Sequence, residues 1–118
     1  MKISELANRT NVSVRTIRHY EQIGLIPLAQ RKGSYRDFIE DHVKQIEFIK
    51  RCKILGFSLA EILEFMPIYE FPREQRCHKS LDFIADKKTQ LLEQISQIQQ
   101  KVDKLNQLQQ NINQLIQS

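Results

Sequence analysis

Tryptophan is absent from this sequence, and glycine, proline and cysteine are scarce. The 118 residues include three glycines, three prolines and two cysteines, Cys52 and Cys77. Two cysteines so far apart form neither a disulfide framework nor a CxxC zinc pattern, and we expect reduced thiols. No apolar run reaches the roughly 18–20 residues of a membrane helix, which predicts that no membrane is a partner. No charged-then-apolar leader precedes the first predicted helix, so the expected location is the cytoplasm.

Catalytic motifs are missing as well. The sequence has three histidines and no GxSxG, P-loop or HExxH motif, so we predict that the protein is not an enzyme. His42 is predicted to lie on an exposed side of a helix, where it would simply be solvated.

Positive charge is concentrated towards the N-terminus. Residues 1–36 contain seven Lys or Arg and two acidic residues, a net charge of +5, whereas the whole chain carries +4 and the remaining 82 residues therefore sum to −1. This distribution indicates a polyanion partner. A solvated basic face is the alternative that the charge count alone leaves open.

Two short helices joined by a tight turn are predicted within this basic region. Residues 3–9 are predicted to form a first helix with one apolar side, and Ser13 is a good N-cap for the second. This spacing is typical of a helix-turn-helix, in which the first residues of the second helix contact base edges in the DNA major groove. Ser13, Arg15 and Thr16 are the predicted base-reading residues. Many helical hairpins with this spacing bind nothing, and that alternative stays open here.

A short hairpin with a basic tip is predicted next. Gly24 stands where a helix end favours positive φ, and Pro27 prevents immediate return to a helix. Basic and small residues then cluster at 31–36, between the apolar Ile26 and Phe38. This pattern predicts two short strands with positive charge at their turn.

Residues 15–38, RTIRHYEQIGLIPLAQRKGSYRDF, resemble the signature of MerR-type transcriptional regulators, R-x-x-R-Y-Y-E-x-x-G-L-[IL]-x-P-x-R…G-Y-R-x-[YF]. The resemblance covers residues 1 to about 66 residue by residue, and the rest by architecture. His19 stands where the first Tyr is usual, Ser34 replaces the Gly before Tyr35, and Pro27 comes one place early. The residues in register are Arg18, Tyr20, Glu21, Gly24, Leu25, Tyr35, Arg36 and Phe38.

The resemblance implies a winged helix-turn-helix. In such a head Arg18 and Tyr20 contact the phosphate backbone, and Tyr35 and Arg36 belong to the wing. Tyr20 and Tyr35 could instead be packing residues, and Arg36 could pair with Glu21 or an adjacent acid. The full predicted DNA-binding set is Ser13, Arg15, Thr16, Arg18, His19, Tyr20, Lys32, Tyr35 and Arg36.

Two further helices are expected to complete a DNA-binding domain at residues 1–70. One runs from Ile39 to Leu55, and Ser58 with Glu61 forms a capping box for the other. The predicted fold is mainly α with a small β-hairpin wing. The apolar stripe of the longer helix is Ile39, Val43, Ile46, Ile49, Cys52 and Leu55.

The two cysteines are candidates for signal sensing as well as for structure. Cys52 falls on the predicted buried stripe, but the resemblance implies that a cysteine in this helix can sense electrophiles. Cys77 and His78 open the last predicted helix, and the resemblance makes them a candidate site for a thiophilic metal ion, with no cofactor certain. No Cys or His follows position 78, which argues against a C-terminal metal loop, and the length of the predicted tail argues against a drug-binding domain. We therefore expect a short form of the family it resembles.

Residues 73–117 predict a long dimerisation helix. Two heptad columns run through it, and ten of their twelve positions are apolar or Cys. A helix of about 44 residues is roughly 66 Å long and cannot bury this stripe against a small head, so a second copy is the economical partner. The resemblance implies an antiparallel coiled coil. The predicted dimerisation residues are Ile84, Leu91, Ile95, Ile98, Val102, Leu105 and Ile112.

These expectations combine into a transcriptional regulator. A homodimer would bind a palindromic promoter operator in double-stranded DNA. The resemblance implies that it distorts the promoter spacer, reaches RNA polymerase only through the DNA, and responds to a stress signal such as a metal ion or thiol-reactive compound. One alternative is an architectural or tethering DNA-binding dimer with no effector and no promoter role. Another is a coiled-coil protein that does not bind DNA.

Overall fold

The computed structural model describes all 118 residues apart from the side chain of Tyr69. The chain divides into two compact units, the head, Met1–Arg73, and the tail, Glu74–Ser118. The elements are α1 Ile3–Thr10, α2 Val14–Gln22, β1 Gln30–Lys32, β2 Tyr35–Asp37, α3 Glu40–Ile54, α4 Leu59–Phe65, a 3₁₀ helix Met66–Glu70 and α5 Arg73–Gln117. The mainly helical fold with one small hairpin is confirmed.

The first two helices form the predicted helix-turn-helix. Helix α1 ends because Asn11 adopts a left-handed conformation, with φ of 55°, and directs its N–H to the Ala7 carbonyl. Helix α2 begins after Ser13, whose hydroxyl oxygen accepts the Thr16 N–H at 3.1 Å. The second helix therefore starts where the sequence places its cap.

The hairpin between α2 and α3, here called the wing, has the predicted two strands. Lys32 lies opposite Tyr35 in an antiparallel pair, so Gly33 and Ser34 make a two-residue turn. Gly33 has a φ of +65° while Ser34 is not left-handed, which matches the type II′ turn with Gly first. Ile26 and Phe38 are each 1% exposed. They anchor the two ends of the wing in the core.

The head has one apolar core, to which every element of the head except the two strands contributes. The buried apolar residues are Leu6, Ile17, Tyr20, Leu25, Ile26, Phe38, Ile46, Ile49, Cys52, Phe57, Ile62 and Ile68. The predicted stripe of α3 is correct for Ile46, Ile49 and Cys52. It is wrong for Ile39 and Leu55, which are 53% and 59% exposed, because they are the caps of α3 and lie outside its helical periodicity.

Polar contacts join α1 to α3. Arg9 and Glu40 form a two-pronged pair, with Arg9 Nη2 2.9 Å from Glu40 Oε2. The hydrogen bond from Arg9 lowers the pKa of the Glu40 carboxyl below its usual value. Lys50 Nζ donates to the Thr10 carbonyl at 2.6 Å, which satisfies one of the unpaired carbonyls at the end of α1. These contacts fix the position of α1 and hence of the turn before α2.

Helix α5 supplies nearly all of the tail. Its 45 residues extend roughly 68 Å at 1.5 Å per residue. Among the described residues, no helix combines the length and the apolar character needed to span a membrane.

Candidate nucleic-acid interface

The outer face of α2 forms one wall of an open basic groove on the head. The groove has a volume of about 680 Å³ and a positive lining, because three of its residues are Lys or Arg and none is acidic. Its lining is Arg15, Thr16, Arg18, His19, Tyr20, Gln22, Lys53 and Leu59. A positive, acid-free concavity of this kind attracts a phosphate backbone.

The start of α2 determines which of its side chains face the groove. Ile17 is fully buried, which turns Arg15, Arg18 and His19 towards solvent. Ser13 donates to Thr16 Oγ1 at 2.8 Å in addition to capping the helix. The Ser13 hydroxyl is therefore committed within the helix start, whereas the Thr16 hydroxyl keeps its hydrogen for an outside acceptor.

Tyr20 combines a packing position with a place in the groove lining. The residue is only 3% exposed, and its ring centroid lies 6.5 Å from that of the exposed His19. Its ring thus belongs to the core, as the packing alternative anticipated. Any role towards a phosphate is limited to the part of the side chain that lines the groove.

The wing presents its basic residues to solvent. Arg31 and Lys32 are exposed on β1, and Tyr35 is 38% exposed on β2. The Lys2 ammonium lies 4.9 Å from the centre of the Tyr35 ring, within the range of a cation–π contact. Exposed positive charge therefore lies on β1 and, through Lys2, beside Tyr35 of β2.

Arg36 is an ion-paired residue of the wing base. Its Nε lies 3.2 Å from Glu21 Oε1, and the Glu21 side chain is 2% exposed. The other carboxylate oxygen of Glu21 accepts the Ala29 N–H at 3.0 Å. Arg36 thus compensates a buried negative charge and attaches the wing to α2, the pairing that the sequence left open as an alternative.

Five residues with places at this surface were not predicted from sequence. The groove is also lined by Gln22, Lys53 and Leu59, and Lys2 contacts the wing. His42, expected to be solvated, is 4% exposed and hydrogen-bonded at both ring nitrogens, so that prediction is wrong. From the sequence, Lys53 could be recognised only as one of the basic residues in the last turn of α3, because its proximity to α2 depends on tertiary packing.

The two cysteines have different surroundings. Cys52 is 4% exposed on α3, and burial raises the pKa of its thiol, which disfavours the reactive thiolate. Cys77 is exposed near the start of α5. Adjacent helical positions such as Cys77 and His78 do not face each other, and within the described residues no three His, Cys, Asp or Glu side chains converge. These residues alone do not form a complete metal site.

One stripe of α5 leaves large apolar side chains exposed to solvent. We call the predicted set the seam: Ile84, Leu91, Ile95, Ile98, Val102, Leu105 and Ile112. Their exposed fractions range from 39% at Leu91 to 63% at Ile95 and Leu105. Such a continuous apolar surface is typical of an interaction site.

A helix-turn-helix followed by a basic two-stranded wing defines the winged helix-turn-helix class of folds, and the long helix with its apolar seam forms a second unit. The chain belongs to the MerR family. The family described as "MerR HTH family regulatory protein" matches residues 1–67, and the one described as "MerR, DNA binding" matches residues 43–117.

Two curated relatives illustrate the similarity. The mercuric resistance operon regulatory protein of Bacillus cereus is 36% identical over 103 residues, which are 86% of this chain and 72% of that protein. The HTH-type transcriptional regulator AdhR of Bacillus subtilis is 35% identical over 95 residues, 79% of this chain and 66% of that protein. The chain thus spans just under two thirds of the AdhR sequence. Both relatives are described as transcriptional regulators.

Solved structures show the same fold. The regulator PbrR691 from Ralstonia metallidurans, in complex with lead(II), superposes with a TM-score of 0.62 at 27% identity and covers 87% of this chain and 84% of its own. The regulator HiNmlR, which lacks the sensor domain and was solved on promoter DNA, has a TM-score of 0.63 at 21% identity, with 89% and 83% covered.

Proposed function

We propose that this protein is a transcriptional regulator that binds a palindromic promoter operator in double-stranded DNA as a homodimer. The observation that carries the proposal is that one compact head holds both the acid-free groove along α2 and the basic wing. Residues 1–70 are the proposed DNA-binding domain and residues 73–117 the proposed dimerisation helix.

The proposed DNA-binding residues have different roles. Arg15 and Thr16, near the start of α2, would contact base edges. Arg18, His19, Lys32 and the wing residue Tyr35 would contact phosphates, which set the register before bases are read. Ser13, Tyr20 and Arg36 would support these contacts through the cap, the core and the Glu21 pair.

The seam supports dimer formation by a second copy of α5. A two-fold dimer would carry two recognition helices and therefore match a palindromic site. Control of transcription would come from distortion of the promoter spacer, because bending and untwisting a duplex changes how its separated elements align. RNA polymerase would then respond to the DNA shape, without a direct contact to this protein.

The decisive experiment is footprinting combined with in vitro transcription on the DNA upstream of the protein's own coding sequence. A regulator protects one palindromic site and changes the transcript level from that promoter. An architectural dimer would protect DNA and leave transcription unchanged. A coiled-coil protein without DNA function would show no salt-dependent binding to any duplex.

The reading role of Arg15 has its own test. Arg15→Ala should relax the base preference obtained by selection from a random library, with a loss of about 1–3 kcal/mol of discrimination at one position. Gln22→Ala, a substitution at another residue of the same groove, serves as the matched control for Arg15→Ala. A selected motif identical to that of the wild type would remove Arg15 from the base-reading set.

An effector response is a second proposal, carried by the exposure of Cys77 and by the mercury and lead named for its relatives. Cys77 would supply one thiolate ligand or react with an electrophile, and His78 and Cys52 are secondary candidates. The test is in vitro transcription with and without mercury(II), lead(II) and an aldehyde, for wild type and Cys77→Ser. Equal transcript levels in all conditions would exclude these signals.

A further inference from the structure

His42 is buried at the base of the wing and both of its ring nitrogens have partners. It is the third residue of α3 and is 4% exposed. The Ile39 N–H donates to Nδ1 at 3.1 Å, and Nε2 lies 3.0 Å from the Pro27 carbonyl oxygen. The ring also meets the Phe38 ring edge-on, with 5.0 Å between centroids and 80° between planes.

These two partners select one form of the imidazole. Because Nδ1 accepts a hydrogen bond from Ile39, it carries no hydrogen, and Nε2 must then donate to the Pro27 carbonyl. Only the neutral form with hydrogen on Nε2 makes both bonds. His42 therefore acts as a bridge with one accepting end and one donating end.

The bridge joins the two ends of the wing to α3. Pro27 lies three residues before β1 and Ile39 lies two residues after β2. Glu21 makes the equivalent connection to α2, through Ala29 and Arg36. The wing itself has only three residue pairs, and an isolated two-stranded hairpin is marginal in water. Its direction therefore depends on the contacts at its base.

We propose that His42 is a positioning residue for DNA binding: it fixes the direction in which the basic wing projects from the head. His42 itself would not contact DNA. It acts through Arg31 and Lys32, whose distance from the phosphates depends on the angle of the hairpin. The inference rests on the DNA-binding function proposed above.

Two variants separate the bridge from the helix cap. In His42→Asn the side-chain oxygen can still accept the Ile39 N–H, as polar residues near a helix start do, but the shorter side chain does not reach Pro27. In His42→Gln the amide offers an acceptor and a donor at about the separation of the two imidazole nitrogens, so both bonds can form. Ile62→Val, in the core of the same head, controls for simple loss of stability.

The experiment measures the free protein first. Nitrogen-15 NMR should show the Nε2–H form of His42 in the wild type. Relaxation order parameters for residues 30–37 should fall in His42→Asn towards the flexible range, below about 0.6, and recover in His42→Gln. Ile62→Val should keep wild-type order parameters. A rigid wing in His42→Asn, or an equally mobile wing in the Gln variant, overturns the proposal.

Binding to operator DNA then tests the consequence. His42→Asn should weaken binding about threefold to tenfold, the value of one hydrogen bond, and lower the salt slope by about one phosphate contact. Unchanged affinity and slope alongside a mobile wing would show that the wing direction does not matter, which also overturns the proposal. If the wild type binds no DNA, the proposed function fails, while the NMR result still decides whether His42 holds the wing.

Discussion

At the scale of single residues, burial separates the side chains that reach the surface from those that hold it in place. Arg15 and Arg18 are exposed in the groove, whereas Tyr20 belongs to the core and Arg36 pairs with a buried carboxylate. The sequence motifs place all four residues in the predicted DNA-binding set. Only the first two have their charge available for a nucleic acid.

Arg18 provides the sharpest prediction for a phosphate contact. Arg18→Ala should weaken binding to all duplex sequences and reduce the slope of log affinity against log salt by about one. The measurement is fluorescence anisotropy across a salt series. Arg51→Ala removes the same charge from an exposed site on α3 that is not part of the groove lining, so its slope should match the wild type. If affinity fell only for duplexes with particular bases in the site, Arg18 would be a base-contacting residue instead.

Thiol reactivity should differ sharply between the two cysteines. Cys77 is exposed, whereas Cys52 is buried and its thiol pKa is raised by desolvation. Alkylation at neutral pH should modify Cys52 at least about a hundredfold more slowly, because its exposure requires opening of a domain that is stable by about 5–15 kcal/mol. Mass spectrometry of the native and urea-unfolded protein measures both rates. Comparable native rates would favour Cys52 as an electrophile sensor.

At the scale of elements, the wing is the least self-sufficient part of the head. Its strands have three residues each and every residue of β1 is exposed. It is held by its turn, by Ile26 and Phe38 in the core, by the contacts of Glu21 and His42, and by the N-terminal amine, which pairs with the last residue of β2. The DNA-facing geometry of the wing thus depends on residues that lie at its base.

The glycine in the turn of the wing should contribute to the stability of the wing. Gly33 has a φ of +65°, and a Cβ there would meet no atom within 4 Å, so substitution costs backbone strain without a clash. Gly33→Ala should reduce protection of the wing amides from hydrogen exchange by about 5- to 30-fold, equivalent to about 1–2 kcal/mol. Ser34→Ala creates the same side chain at the neighbouring position with ordinary φ and should leave protection unchanged. Equal effects of both variants would contradict the turn assignment.

At the scale of the whole molecule, the seam is the feature that a single chain leaves unexplained. Seven large apolar side chains remain 39–63% exposed along one stripe of α5. Their spacing fits a coiled coil, in which each would insert between residues of a facing helix. A second copy of the same helix would remove this surface from water.

The dimer proposal predicts a change of mass for a seam variant. Ile98→Asp places a charge in the middle of the proposed interface, where desolvation without a partner is unfavourable by several kcal/mol. Sedimentation equilibrium should then give the 14.0 kDa of one chain, about half the wild-type value. Gln97→Asp, one position away from the seam, should remain dimeric. A persisting Ile98→Asp dimer would mean that the chains associate elsewhere.

Local sequence patterns determined the secondary-structure elements of this protein and were enough to indicate its family. The caps at Ser13 and Ser58, the glycines of the turns and the heptad spacing act over a few residues, so helix starts, the wing and the length of α5 could be predicted from sequence. The motif around Arg18 and Tyr35 was sufficient to detect the resemblance to the MerR family. The family match over residues 1–67 confirms it.

Tertiary structure alone decided which side chains share a surface. Lys53 reaches the groove of α2, and His42 joins residues 12 positions apart at the two ends of the wing, through packing that no local pattern records. His42 was misjudged because helical periodicity reports the face of a helix and takes no account of the Pro27 segment packed against its first turn. Burial and hydrogen bonding across distant segments depend on the whole fold, and they separate the supporting residues from those available to bind DNA.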